Sequence, residues 1–184
     1  MVVKKTRVAV LASGRGSNFV ALYDANLPDV EFVGVICNKP GAGVIDHAKA
    51  RNVPVTMIPV KATDSEVLAA LKPCAPDVIC LAGYMRIVGR EFLKAYEGRV
   101  LNIHPSLLPS FRGLHAVKQA LEKGVKWTGC TVHVVTEELD DGPILAQNVV
   151  RVMPEDTEAT LSQRLLDIEH ATYVSALQNF ISRK

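Results

Sequence analysis

The stretch Leu101-Asn-Ile-His-Pro-Ser-Leu-Leu-Pro-Ser-Phe-Arg112 decides how the chain is read. Val100 to Ile103 is an apolar run with the character of a buried strand, yet Asn102 sits within it and His104 closes it. Pro105 and Pro109 stop the run, because proline donates nothing to a sheet ladder and restrains the residue before it. Along a strand, positions 102 and 104 share one face. An amide and an imidazole therefore point the same way from a carboxyl end, where open α/β sheets hold their ligands. Each residue also has a bland reading. Asn102 can satisfy loop backbone, and His104 can be a half-buried strand-end histidine.

Outward from this stretch, short apolar runs alternate with helical ones. Strands are expected at Arg7 to Ala12, Glu31 to Cys37, Val55 to Ile58, Val78 to Ala82 and Val100 to Ile103. Helices are expected near 17–26, 43–51, 63–72 and 89–97. This is the rhythm of a parallel sheet covered on both faces, and near-continuous apolar strands fit double burial. After a helix at 115–123 the pattern changes. Thr128 to Val135 and Ile144 to Val152 read as strands joined by Thr136 to Pro143, too short for a parallel crossover. A last helix, about Glu158 to Ile181, carries Leu161, Leu165, Ile168, Leu177 and Ile181 at helical spacing. The expected fold is a doubly wound, mostly parallel α/β sheet of Rossmann-like type. An antiparallel hairpin lies near its C-terminal end, and one domain spans residues 1–184.

Composition narrows the class. Hydrophobic residues make up 48% and charged ones 22%, as in ordinary globular proteins. A formal charge of +2 gives no concentrated basic patch for nucleic acid, and Lys4, Lys5 and Arg7 read as solubilising charges. No apolar run approaches the roughly 20 residues of a membrane span, and Val8 to Ala12 is too short for a signal-peptide core. A cytoplasmic protein is expected. Cys37, Cys74, Cys80 and Cys130 lack C-x-x-C spacing and read as free buried thiols. No His or Cys pair has metal-ligand spacing, so no metal is expected.

Ser13-Gly-Arg-Gly-Ser-Asn18 joins the first strand to the first helix. Its glycines let backbone approach an anion, and free N–H groups with the helix dipole favour phosphate there. It is not the dinucleotide fingerprint, since Phe19 stands where that motif needs a small residue, and no Walker lysine follows. The alternative is a tight turn with Ser17 as N-cap. Asp140 and Asp141 precede Gly142 in the hairpin connection, where Asp-Gly is ordinary turn chemistry. Met85-Arg86-Ile87-Val88 follows the fourth strand and can be a plain loop with a solvated arginine. Glu169 can be a boundary glutamate of the last helix.

Asn102-x-His104-Pro-Ser-Leu-Leu-Pro109 resembles the signature of the folate-dependent formyltransferases. Further pieces match in family order: Ser13 to Asn18, Asn38-Lys-Pro-Gly41, Ala82 to Ile87, Gly113-Leu-His115, Glu138 to Pro143 and Glu169-His170. The similarity is greatest to the purine-pathway branch, which formylates glycinamide ribonucleotide with 10-formyltetrahydrofolate. By this resemblance Asn102, His104 and Asp140 are catalytic, with Asp141 at a variable turn position. Gly16, Ser17 and Asn18 hold the phosphoribosyl group, and Glu169 faces the ribose hydroxyls. Met85, Arg86, Ile87 and Val88 form the folate pocket with Asn102 and the 136–141 turn. The stretch Pro59 to Ser65 is shorter than in many relatives, leaving Lys61 as the basic residue offered to folate. His115 and His133 lie in matched segments and are expected to be structural. An aspartate beside His104 favours the imidazolium, keeping a proton available near neutral pH.

The resemblance leaves rivals. A formyltetrahydrofolate hydrolase and the enzyme that formylates initiator methionyl-tRNA share the motif at His104. The hydrolase carries an added amino-terminal domain and the tRNA enzyme a carboxyl-terminal barrel; with a first strand near residue 6 and an end after one helix, neither is expected here. A non-catalytic nucleotide- or folate-binding module is the rival of another class. The expected partners are two small molecules, with a monomer or weak homodimer as the assembly. Replacing His104 is expected to act on turnover and hardly on folding, because the residue ends a strand.

Overall fold

A computed structural model of the chain describes residues 4–183. The elements are β1 (Thr6–Ala12), α1 (Ser17–Asp24), β2 (Val30–Cys37), α2 (Gly43–Ala50), β3 (Val55–Met57), α3 (Asp64–Leu71) and β4 (Val78–Leu81). Then follow α4 (Arg90–Ala95), β5 (Val100–His104), α5 (Ala116–Glu122), β6 (Trp127–Val134), β7 (Ile144–Arg151) and α6 (Glu158–Ser182). The strands form one seven-stranded sheet in the order β3-β2-β1-β4-β5-β6-β7. Every expected element is present, with ends displaced by one or two residues. Two compact units divide the chain, Met1–Leu101 and Asn102–Lys184.

In the first unit β1 pairs in parallel with β2 on one side and β4 on the other, and β2 pairs with β3. The chain thus runs outward through β3 and returns across β1 to β4. That reversal is the switch point at which open sheets leave a crevice beyond the carboxyl ends. Val8 to Ala12 are all 0% exposed, which explains why β1 shows no polar alternation. Phe19 and Leu22 of α1 and Val44 and Ala48 of α2 are fully buried. Phe19 meets Phe32 edge to face at 6.2 Å. A phenylalanine so buried leaves no gap for the close helix approach that a third fingerprint glycine provides. A capping box of Thr63 and Glu66 starts α3. Asp64 then accepts from the N–H groups of Gly89 (2.9 Å) and Phe92 (3.1 Å), which fixes the end of the 82–89 loop.

In the second unit β6 and β7 are antiparallel, from Trp127 opposite Arg151 to His133 opposite Ile144, with a register shift between Val132 and His133. Thr157 and Thr160 cap α6 reciprocally. Its Leu161 and Leu165 pack with Val117 of α5 and with Val150 and Val152. Full burial of a leucine contributes about 1.5–3 kcal/mol, which anchors a long helix of low intrinsic amphipathicity. The proline-bounded segment after β5 is pinned to this hairpin. Leu108 N–H donates to Thr131 Oγ1 at 3.0 Å, Thr131 Oγ1 donates to the Ser106 carbonyl at 2.7 Å, and Gln147 reaches the Leu108 carbonyl at 3.0 Å. No helix among the described residues is long and apolar enough to cross a membrane.

Candidate active site

Three loops at the switch point meet on Ser13. Its N–H donates to the Gly83 carbonyl at 3.1 Å, and its hydroxyl donates to Asn38 Oδ1 at 2.6 Å and accepts from Met85 N–H at 3.1 Å. The loops after β1, β2 and β4 are therefore one construction. Gly16 takes the N-cap position of α1, with φ 88° and ψ 14° and no side-chain cap. This corrects the alternative of Ser17 as N-cap; Ser17 is the first helical residue. A side chain cannot sit at Gly16, because its Cβ would lie 2.7 Å from Val44 Cα. Gly16 itself offers no side-chain acceptor to the first turn of α1, and a helix N-terminus suits an anion. Asn18 is 9% exposed beside them.

Met85 and Ile87 are 70% and 77% exposed, whereas Val88 is buried. Arg86 donates to the Val60 carbonyl at 3.0 Å, tying the 82–89 loop to the turn that carries exposed Lys61. Large apolar side chains held outward on a braced loop form a surface for a flat ligand. In the second unit Glu169 is half-buried on α6, and His115 precedes α5 in left-handed conformation, φ 60°.

The second unit brings Asn102, His104 and Asp140 together with a fourth residue, His133. His104 is only 6% exposed, so its strand-end position does not make it peripheral to folding, contrary to expectation. Its Nε2 lies 2.8 Å from the Phe111 carbonyl, which accepts only, so Nε2 carries a hydrogen. Its Nδ1 lies 3.4 Å from Asp140 Oδ2. A hydrogen on Nδ1 would point toward that carboxylate. Asp140 has φ 49° in the hairpin turn, and its Oδ2 accepts from Gly113 N–H at 2.8 Å. Gly142 permits this turn, since a Cβ there would lie 1.8 Å from the Val134 carbonyl. Burial by itself raises the Asp140 carboxyl. The Gly113 N–H and the neighbouring His104 and His133 rings outweigh burial and hold the carboxyl below the ordinary aspartate value.

His133 was expected to be structural, and its partners make it part of the site. It is 2% exposed, with Nδ1 3.0 Å from the Val134 carbonyl and Nε2 3.2 Å from Asn102 Nδ2. Its Nε2 also faces Asp140 Oδ1 at 3.6 Å, beyond good hydrogen-bond length. With Nδ1 committed as donor, the neutral ring accepts one Asn102 N–H and leaves the second amide hydrogen for a ligand. Strand alternation was the available signal: His133 lies two residues after Thr131 on one face of a buried strand.

The chain matches the formyl transferase family over residues 6–177. It is 42% identical over 190 residues to the trifunctional purine biosynthetic protein adenosine-3 of Drosophila melanogaster, covering 97% of this chain and 14% of that protein. The chain thus spans a small part of that relative. It is 40% identical over 185 residues to phosphoribosylglycinamide formyltransferase of Bacillus subtilis (strain 168), covering 95% of this chain and 94% of the relative. The crystal structure of phosphoribosylglycinamide formyltransferase from Anaplasma phagocytophilum superposes with a TM-score of 0.92 at 40% identity, covering 95% of this chain and 86% of that one. Fold, motif residues and similarity over nearly the full length agree, and the chain belongs to the formyl transferase family.

Proposed function

We propose that the chain transfers the formyl group of 10-formyltetrahydrofolate to the amine of glycinamide ribonucleotide, a step of de novo purine biosynthesis. The products are formylglycinamide ribonucleotide and tetrahydrofolate. One observation carries the reading: a buried histidine is gripped by a carboxylate and a carbonyl in the same unit as an amide with a spare N–H. That is the equipment for a tetrahedral oxyanion and a proton transfer. The match to whole bacterial relatives supports the same reading.

The amine lone pair attacks the formyl carbon, and the carbonyl electrons move onto oxygen. Asn102 and protonated His104 stabilise that oxyanion. The amine loses a proton, N10 of the folate gains one, and the carbon–N10 bond breaks as the carbonyl re-forms. His104 Nδ1, held toward Asp140, carries the proton. Nε2 stays with the Phe111 carbonyl and fixes the ring. Two bound substrates gain chiefly from orientation, so no covalent enzyme intermediate is needed. Gly16, Ser17 and Asn18 receive the phosphate, and Glu169 the ribose hydroxyls. Met85 to Val88 and the 136–141 turn receive the folate, Asn102 its formyl group, and Lys61 its acidic tail.

Folate release followed by absorbance, with and without glycinamide ribonucleotide, tests this reading. Release that requires the amine is expected. Release without it would mark a hydrolase, and no turnover with any acceptor would leave a binding module.

A further inference from the structure

The two acceptors that grip His104 are Phe111 and Asp140, and the residues directly after them, Arg112 and Asp141, are ion-paired with each other. We infer that the Arg112–Asp141 pair is a latch that positions both acceptors on the His104 ring. The inference rests on the formyl-transfer reading and adds two positioning residues to it.

Local geometry gives such a latch a task. Phe111 and Asp140 both have positive φ, 55° and 49°, a conformation that costs a non-glycine residue energy and persists only when its surroundings enforce it. Thr136 to Leu139, leading to Asp140, are all exposed and contribute little packing. On the other loop, residues 105–110 are pinned to β6 and β7, and Gln119 of α5 holds the Arg112 and Leu114 carbonyls at 3.3 and 2.9 Å. These ties fix the 111–114 segment but not the hairpin turn. Among the described residues, Gly113 N–H on Asp140 and the guanidinium of Arg112 on Asp141 join that segment to the turn. The first uses the reacting carboxylate itself. The second leaves Asp140 free to serve His104 while keeping the turn in place.

Arg112 and Asp141 side chains are 40% and 47% exposed, so the pair is worth a modest amount and its loss should not unfold the chain. The expected signature is kinetic. Arg112→Gln and Asp141→Asn should each lower kcat roughly three- to tenfold, the span of a surface ion pair expressed in the barrier. KM for glycinamide ribonucleotide should stay near wild type, because the phosphate loop at Gly16 to Asn18 is untouched. Arg112→Lys should retain most activity. The exchanged double variant, Arg112→Asp with Asp141→Arg, should recover kcat over either single charge reversal. A merely structural role would move thermal stability without this split or rescue. Single variants with wild-type kcat, or a double variant no better than either single reversal, would overturn the latch and leave formyl transfer standing. Absence of transfer by the wild-type chain would overturn the functional reading, and the latch's catalytic role with it.

Discussion

Asn102 and His133 are joined at 3.2 Å, with the histidine turned by its own bond to the Val134 carbonyl so that it accepts the amide N–H. The amide proposed to hold the oxyanion is therefore oriented by His133 on β6. Asn102→Ala should lower kcat by about 10²–10³, the range for a lost oxyanion donor. His133→Leu should lower kcat through a misdirected amide, by less than Asn102→Ala. Steady-state kinetics decide the matter, because a defect confined to KM would mean that Asn102 only places substrate.

His104→Ala should lower kcat by roughly 10²–10⁴, the contribution of a positioned acid–base group. It should also cost about 1–3 kcal/mol of stability, since the part-buried Phe111 carbonyl loses its donor and the Asp140 carboxylate loses a neighbouring imidazole. Turnover together with denaturant unfolding tests both parts. Wild-type turnover in a folded variant would remove His104 from the chemistry.

The fold was legible because β1, β2, β4 and β5 are apolar nearly throughout and are separated by helical stretches, the mark of strands buried on both faces. The hairpin followed from the shortness of the 136–143 connection. Asn102 and His104 could be placed on one face by alternation alone. Alternation could put His133 on one face of β6 but not against Asn102, and the roles of Arg112 and Asp141 were hidden because they depend on contacts between the 105–115 segment and the hairpin turn that no local pattern encodes. The start of α1 at Ser17 was legible but its cap was not, for a backbone reason. Ser17 has the better capping side chain, but the approach of Val44 requires glycine one residue earlier.

Asp140 sets an acid limit. Its carboxyl titrates lower in the folded chain than the ordinary aspartate value, so it contributes stability fully above about pH 4. That contribution falls away as pH drops from there through the lowered folded value. The stability difference between wild type and Asp140→Asn should therefore narrow on acidification below about pH 4. Denaturant unfolding of both proteins along a pH series measures it, and an unchanging difference would show that Asp140 gains nothing from its partners.

Ser17→Asp separates the half-sites. Aspartate is welcome in a first helical turn, so α1 should remain folded. Its carboxylate opposes the incoming phosphate, and glycinamide ribonucleotide should bind at least ~1.4 kcal/mol more weakly, a tenfold change. A folate analogue should bind as before. Separate calorimetric titrations report both; weakened folate with intact nucleotide binding would exchange the two assignments.

Formyl transfer itself is tested most directly by following the carbon. Purified chain is incubated with 10-formyltetrahydrofolate labelled in the formyl group and with glycinamide ribonucleotide, and the products are separated by mass. The label is expected on the ribonucleotide amine, in step with tetrahydrofolate release and lost in His104→Ala. Label recovered as free formate, at a rate indifferent to the ribonucleotide, would contradict the assignment.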